Sequence, residues 1–112
     1  MIDLNAVPSP CYLLEAAKLR ANLELIDRVQ RESGCSIILA LKGFAMWSSF
    51  PIVREYLSGC SASSYNEARL AREHFGGHVH LYAPAYTDAE FPDLIGLSDR
   101  ISFMTPRCLT YV

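Results

Sequence analysis

The 112-residue sequence lacks long hydrophobic runs, and no stretch approaches the ~20 uncharged apolar residues that a membrane-spanning helix needs. Its start lacks the basic segment and apolar run of a secretory signal peptide. No cluster of lysine or arginine marks a nucleic-acid surface, and 10 basic against 12 acidic residues give a net charge of -2. These absences predict a cytoplasmic globular protein that has neither membranes nor nucleic acids as partners.

Metal and redox motifs are also absent from the sequence. No two cysteines have the two-residue gap of a zinc or redox motif, so we expect reduced thiols at all four positions: Cys11, Cys35, Cys60 and Cys108. His78 and His80 would share one face of a strand, which is how some zinc sites begin. A third ligand and a carboxylate partner are missing from the pattern, so we expect surface or pocket-rim histidines and no metal.

The apolar pattern of the first 41 residues changes period twice. Pro10–Leu14 is a short apolar run after two prolines and reads as extended. From Glu15 the apolar residues fall on one helical face, and Gly34 ends this helix after Ser33. Ser36–Leu41 then has no alternation, which is typical of a short parallel strand buried on both faces.

The same cycle then repeats along the chain. Capping-box spacing occurs at Ser64 with Glu67 and again at Thr87 with Glu90, although Pro92 limits or bends the second of these helices. The remaining patterns predict helices over about 51–57 and 64–75, and strands over 60–63, 78–83 and 101–103.

Predicted strand ends recur about every 20 to 22 residues, which indicates four βα units of an α/β protein. Such units form a parallel sheet with helices packed outside it. Two architectures fit this pattern. One is a closed flavodoxin-like domain, and the other is the first half of a (β/α)8 barrel, which typically needs about 250 residues.

Lys42 directly follows the first predicted strand, and parallel α/β folds place ligands at the carboxyl ends of their strands. An ordinary lysine amine has a pKa near 10.4, so about one molecule in 2,500 is neutral at pH 7. A partly desolvated pocket lowers a lysine pKa, and the neutral amine can attack an aldehyde. Gly43 leaves room for a flat ligand. A strand-end lysine that reaches solvent fits the same spacing, so position alone leaves both interpretations open.

Four segments together resemble one enzyme family: PCYLL at 10–14, ALKGFAMW at 40–47, SASSYNEARL at 61–70 and HLYAPAY at 80–86. They are similar to the N-terminal part of carboxynorspermidine (carboxyspermidine) decarboxylases. That family belongs to the alanine racemase and ornithine decarboxylase-like group, which uses pyridoxal 5'-phosphate on a (β/α)8 barrel. The resemblance implies a carboxy-lyase of polyamine biosynthesis that acts as a cytoplasmic homodimer on a small polyamine precursor.

Residue by residue, the resemblance implies that Lys42 is the lysine that holds pyridoxal phosphate. Ser61 falls where related decarboxylases often have an acid, so we expect it only in the wall of the cofactor pocket. Ala40 and Tyr82 are expected near the same strand ends. An apolar cluster directly after the lysine fits either substrate contact or local packing: Phe44, Met46 and Trp47.

Other motifs of the family come later in its chains and do not occur in this sequence. They are the phosphate-binding glycine loop, the acid that faces the pyridine nitrogen and the catalytic cysteine, whose context Cys108 does not match. After Phe103 the sequence departs from the family pattern. We therefore expect a truncated or frame-altered fragment: an N-terminal strand segment at 1–14, which in relatives pairs with a C-terminal domain, and a partial barrel at 15–112.

Half a barrel would leave two open sheet edges, so we expect a marginally stable, self-associating and inactive fragment. The alternative function is that of a small α/β binding or interaction module without covalent chemistry.

Overall fold

The structure, a computed structural model, describes residues 3–104. Its helices are α1 (Ala16–Ser33), α2 (Phe50–Val53), α3 (Tyr65–Leu70, continued by a π turn over Ala71–Phe75) and α4 (Phe91–Leu97). Its strands are β1 (Leu39–Ala40), β2 (Gly59–Ala62), β3 (His78–Tyr82) and β4 (Arg100–Ser102). Two short 3-10 turns cover Leu4–Ala6 and Trp47–Ser49.

Helix α1 follows its predicted apolar stripe. Leu23 is buried on that stripe, and Leu19 and Ile26 pack against the core beside it. The helix ends at Gly34, whose φ of 72° is left-handed and whose N–H donates to the Gln30 carbonyl at 2.9 Å. The predicted start near Glu15 and the predicted stop at Gly34 are confirmed.

Helix α3 begins with the predicted capping box in a modified form. The Ser64 hydroxyl accepts from the Glu67 N–H at 3.2 Å, as the spacing predicts. The Glu67 carboxylate reaches back one residue further and accepts from the Ser63 N–H at 2.6 Å. The side chain of Glu67 therefore fixes the connection between β2 and α3. At its far end the helix stops at Gly76, which has a left-handed φ of 76°.

The four strands form one parallel sheet in the order β1-β2-β3-β4. Its register aligns one residue from each strand in a row: Ala40, Ser61, His80 and Arg100. A flavodoxin-like sheet has its second strand outside the first, whereas here the strands lie side by side in chain order. Chain order is the arrangement of a (β/α)8 barrel, so the sheet corresponds to four adjacent strands of a barrel.

The helices cover one face of this sheet, and the core lies between them. Cys60, Val79 and Leu81 point to the helices and are at most 1% exposed. Phe50 of α2 packs edge-on against Phe75 at the end of α3, with ring centroids 5.4 Å apart. The opposite face, here called the open face, carries the residues that alternate with these, among them the row of Ala40, Ser61, His80 and Arg100.

Two elements, β1 and α2, are clearly shorter than predicted. The predicted strand Ser36–Leu41 narrows to Leu39–Ala40, and Ala40 is exposed rather than buried. Within residues 3–104 β1 pairs on one side only, so its ladder extends only as far as β2 lies opposite. Helix α2 ends at Val53, before the predicted Leu57; residues 54–56 continue as turns, after which the Leu57 N–H donates to the Val53 carbonyl at 3.0 Å.

Two predictions about segments near prolines also differ from the structure. The Thr87 hydroxyl accepts from the Glu90 N–H at 3.4 Å, as the spacing predicts, but α4 begins only at Phe91. Pro92 therefore lies in the first turn of the helix, where a missing N–H costs nothing. Residues 3–14 of the predicted N-terminal strand segment contain the turn Leu4–Ala6 and no strand. A strand needs a paired neighbour, and Pro10–Leu14 pairs with no strand of the described chain. Residues 1–2 and 105–112 of the predicted segments, with Cys108, lie outside the described residues.

The sequence predicts no membrane-spanning helix. Among residues 3–104, no helix is both long and apolar enough to span a bilayer.

Candidate functional site

Lys42 lies in a tight turn at the carboxyl end of β1. The Ala40 carbonyl accepts from the N–H groups of Gly43 at 3.0 Å and Phe44 at 3.1 Å, which closes the turn around Lys42. The Leu41 N–H donates to the Ser61 carbonyl at 3.1 Å and ties the turn to β2. Three backbone hydrogen bonds therefore hold the Lys42 Cα at the edge of the sheet where parallel α/β proteins bind ligands.

The Lys42 side chain is exposed, and its amine has no hydrogen bond or ion pair within residues 3–104. The amine is thus available to a ligand. At Gly43 an added Cβ would lie 3.6 Å from the Ala40 carbonyl oxygen, an ordinary contact. The described chain therefore does not itself require glycine at position 43, and the predicted space for a flat ligand stays a prediction.

Ser61 is the third residue of β2, half-buried and opposite Ala40 in the register. The structure thus brings the two predicted site residues to neighbouring strands: Lys42 follows Ala40 by two residues, and Ser61 is beside Ala40. Tyr82 ends β3 on the open face and is 46% exposed. The roles assigned to Lys42 and Ser61 remain predictions.

His80 lies in the middle of β3 and Tyr86 in the loop after it, and neither was assigned to the lysine site from the sequence. His80 is half-buried on the open face, with its Nε2 2.8 Å from the Ser102 hydroxyl of β4. The Tyr86 hydroxyl accepts from the Ala83 N–H at 3.0 Å and donates to the Ser102 carbonyl at 2.8 Å. These contacts link the ends of β3 and β4. The period-two pattern of β3 could have placed His80 on the open face, but no sequence signal indicates the Tyr86 contacts.

Asp99 and Cys60 belong to the fold and not to the lysine site. The Val79 N–H and the Arg72 guanidinium lower the pKa of Asp99, since both stabilise its carboxylate at 2.8 and 3.1 Å. Burial raises the pKa of the Cys60 thiol to about 12, which makes it unreactive. His78 and His80 share a face of β3 as predicted. Within residues 3–104 no three His, Cys, Asp or Glu side chains are grouped so that they could hold a metal ion.

The apolar cluster after Lys42 divides into two parts. Phe44 packs against the core, as local packing predicts. Trp47 instead leaves 62% of its surface exposed, although it is the largest side chain of the segment. Local packing therefore accounts for Phe44 and not for Trp47.

Comparison with known proteins gives a consistent set of relatives. The chain is 47% identical over 100 residues to the carboxyaminopropylagmatine decarboxylase of Synechocystis. This match covers 89% of this chain and 26% of the relative. It is 42% identical over 97 residues to the carboxynorspermidine/carboxyspermidine decarboxylase of Campylobacter jejuni and 38% identical to that of Herminiimonas arsenicoxydans. These two matches cover 87% of this chain and 25% and 27% of the relatives. No protein-family model matches the sequence.

A solved structure agrees with these sequence relatives. The crystal structure of carboxynorspermidine decarboxylase from Campylobacter jejuni, complexed with norspermidine, superposes with a TM-score of 0.90 at 39% identity. The match covers 94% of this chain and 29% of that chain. The resemblance predicted from the sequence is confirmed, and the chain spans about a quarter of the length of the curated relatives it matches.

Proposed function

We propose that this chain forms the lysine-bearing part of a pyridoxal phosphate-dependent decarboxylase that acts on a carboxylated polyamine. Carboxynorspermidine and carboxyspermidine are the expected substrates, and norspermidine and spermidine the products. The observation that carries the proposal is the position of the Lys42 amine, which has no hydrogen bond or ion pair in residues 3–104 and follows the first of four parallel strands in barrel order. The relatives' names support the reaction class, since all three are decarboxylases of carboxylated polyamines.

The residues around Lys42 fit this cofactor. A primary amine without a competing ion pair is the group that binds the aldehyde of pyridoxal phosphate. The neighbouring open-face residues Ala40 and Ser61 are small, so they leave room for a flat ring beside the lysine. When bound, pyridoxal phosphate supplies an electron sink for the electrons released as a carboxylate leaves as CO2.

The residues of the site have separate roles in this proposal. Lys42 would hold the cofactor when no substrate is bound, and its Nζ would carry a proton when the substrate takes its place. Ser61 forms part of the pocket wall. The Ala40 carbonyl and the Glu67 carboxylate keep the turns after β1 and β2 in place. The protein thereby supplies orientation, and the cofactor supplies the chemistry.

The 112 residues by themselves are expected to capture the cofactor without decarboxylating substrate. They contain the lysine but none of the predicted phosphate loop, ring-nitrogen acid and catalytic cysteine. The proposal also includes the cytoplasmic location and the homodimer that the resemblance implies for the full-length family.

Cofactor labelling tests the role of Lys42, and the sequence supplies its own control because Lys18 is its only other lysine. Lys18 forms an exposed ion pair with Glu15 at 2.6 Å. The protein is mixed with pyridoxal phosphate, reduced with borohydride and mapped by peptide mass. We expect the pyridoxyl group on Lys42, and its loss in Lys42→Arg but not in Lys18→Arg. Equal labelling of both lysines would contradict the proposal and favour a binding module without covalent chemistry.

A chimera tests the activity. Residues 10–103 would replace the matching quarter of the Campylobacter jejuni carboxynorspermidine decarboxylase. We expect CO2 release from carboxynorspermidine by the chimera and its loss after Lys42→Ala. An active Lys42→Ala chimera would refute the assignment of the lysine.

A further inference from the structure

A cavity of about 380 Å³, here called the amino-edge cavity, lies on the open face where the strands begin. It is therefore at the opposite edge of the sheet from Lys42. Ser36 lies before β1, Ser58 directly precedes β2, and His78 begins β3. The polar lining is completed by His80 and Arg100, which are partners in the register of β3 and β4. The proposed decarboxylation gives none of these residues a role.

Gly59 makes room for the amino-edge cavity. It is the register partner of His78 and lies on the same face of the sheet. An added Cβ at position 59 would lie 2.9 Å from the His78 Cβ and closer still to the His78 carbonyl oxygen, so the backbone has no space for a side chain there. The open face beside the His78 ring is therefore kept clear by the close approach of β2 and β3.

The charges around the cavity favour an anion. Asp99 is the one acidic residue among its lining residues in the described chain. The Asp99 carboxylate already accepts from the Val79 N–H at 2.8 Å and from the Arg72 guanidinium at 3.1 Å. Arg100 has no hydrogen bond or ion pair within residues 3–104. Because Arg72 compensates the charge of Asp99, the positive charge of Arg100 is left without a partner.

The lining is also rich in hydrogen-bond donors. The Arg100 guanidinium carries five N–H donors in a planar fork that matches the oxygens of an oxyanion. The Nε2 of His80 lies 2.8 Å from the Ser102 hydroxyl, and its Nδ1 has no partner in residues 3–104. When that hydroxyl donates to Nε2, the ring N–H is on Nδ1 and can donate to a ligand. The hydroxyls of Ser36 and Ser58 form no hydrogen bond in the same part of the chain.

We propose that the amino-edge cavity binds a small oxyanion of the phosphate class, held by Arg100 with His78 and His80 beside it. A phosphate ion has four oxygens to accept from these donors, and its charge offsets that of the guanidinium. The inference goes beyond the proposed function and does not rest on it, because Lys42 lies at the other edge of the sheet.

The histidine rings report on the cavity, and the sequence supplies an internal control. Only three histidines occur, and the third, His74, is exposed near the end of α3 and outside the cavity lining. Inorganic phosphate is titrated into the full 112-residue chain at constant ionic strength and pH, and the ring signals are followed by NMR. We expect saturable shifts of His78 and His80 and none of His74. No saturable shift, or an equal shift of all three rings, would overturn the proposal.

Two arginine substitutions locate the site. Arg100→Gln should raise the half-saturating phosphate concentration about fivefold or more, through the loss of a charged hydrogen-bond donor. Arg28→Gln is the matched control, since Arg28 is exposed on α1 outside the cavity and its loss changes the net charge equally. It should leave the titration within about twofold. Equal effects of the two substitutions would overturn the proposal, because binding would then depend on net charge alone.

Arg100→Lys guards against a loss of folding in Arg100→Gln. It keeps the charge but not the planar fork, so its half-saturating concentration should lie between those of the wild type and Arg100→Gln. A half-saturating concentration equal to that of the wild type in both Arg100 variants would refute the role assigned to this residue.

The remaining controls separate the ligand and the two edges of the sheet. Acetate, at the same ionic strength, should shift His78 and His80 less than phosphate does. A stronger response to acetate would overturn the phosphate class and indicate that the cavity receives a carboxylate. Lys42→Ala should lose the pyridoxyl label and keep the phosphate titration. Loss of the phosphate response in Lys42→Ala would place the anion at the carboxyl edge and refute the amino-edge site, whereas failed labelling with an intact phosphate response would refute only the role of Lys42.

Discussion

On the side of the sheet that the helices cover, Val79 and Leu81 of β3 are at most 1% exposed. On the open side, the alternate residues of the same strand are polar or aromatic and remain in contact with solvent: His78, His80 and Tyr82. The two faces thus differ in chemistry although they come from one five-residue strand. The covered face stabilises the fold, and the open face with its carboxyl edge presents the groups that can meet a ligand.

Barrel geometry explains this division. In a closed barrel the helix-facing side forms the outer core, and the opposite side faces the barrel interior. The open face of this sheet corresponds to that interior, and its small residues Ala40 and Ser61 lie near Lys42 towards the carboxyl edge, where barrels place their active sites. Substitutions on the two faces should therefore affect different properties of the protein.

The largest difference in the free energy of unfolding is expected between substitutions at two neighbouring residues of β3. Leu81→Ala removes a fully buried side chain and should lower the free energy of unfolding by about 2–5 kcal/mol. Tyr82→Ala removes a half-exposed side chain from the open face and should cost less than about 1 kcal/mol. Urea titrations followed by circular dichroism measure both changes. Equal costs at the two positions would show that the faces are not distinct.

The features of the fold that sequence could predict are the local ones. The stop of α1 at Gly34, the cap at Ser64 and the period of β3 depend on neighbouring residues alone, and the structure confirms them. Strand order and the short ladder of β1 depend on pairing between distant residues. The pattern of apolar residues carries no information on such pairing, so it left the barrel and the flavodoxin-like sheet equally open.

The site divides in the same way. Lys42 and Ser61 could be placed at strand ends from the pattern and the family resemblance. The Tyr86 hydroxyl donates to the carbonyl of Ser102, which lies 16 residues later in the sequence. The His80 imidazole forms a hydrogen bond with the hydroxyl of the same serine, 22 residues later. Both contacts depend on how β3 and the loop after it lie beside β4, which the sequence pattern does not specify.

Asp99 lies directly before β4, and its carboxylate binds the backbone of β3. Its loss should have an intermediate effect on the free energy of unfolding. The carboxylate accepts from the Val79 N–H at 2.8 Å and from Arg72 at 3.1 Å. Asp99→Ala leaves the N–H of a buried residue without this partner, so we expect a cost of about 1–3 kcal/mol. Asp88→Ala is the control, since Asp88 is exposed, and should change the free energy of unfolding by less than about 0.5 kcal/mol.

The pH dependence of that cost follows from the pKa of Asp99. The Val79 N–H and Arg72 lower this pKa below its ordinary value of 3.8 in the folded state. A depressed carboxyl pKa contributes stability that is fully present above the unfolded value and is lost as the pH falls through the folded value. The difference between wild type and Asp99→Ala should therefore be constant above about pH 5 and shrink below about pH 4. A difference that grows on acidification would contradict this assignment.

The smallest change in stability is expected where the chemical effect is greatest. Lys42 is exposed and without a hydrogen bond or ion pair in residues 3–104, so Lys42→Ala should change the free energy of unfolding by less than about 0.5 kcal/mol. Urea titration measures this change beside the borohydride labelling. With the fold unaffected, loss of the pyridoxyl group reports on the amine itself. A cost above about 1 kcal/mol would instead assign Lys42 to the support of the turn after β1, because a side chain needed for binding alone leaves the unfolding equilibrium unchanged.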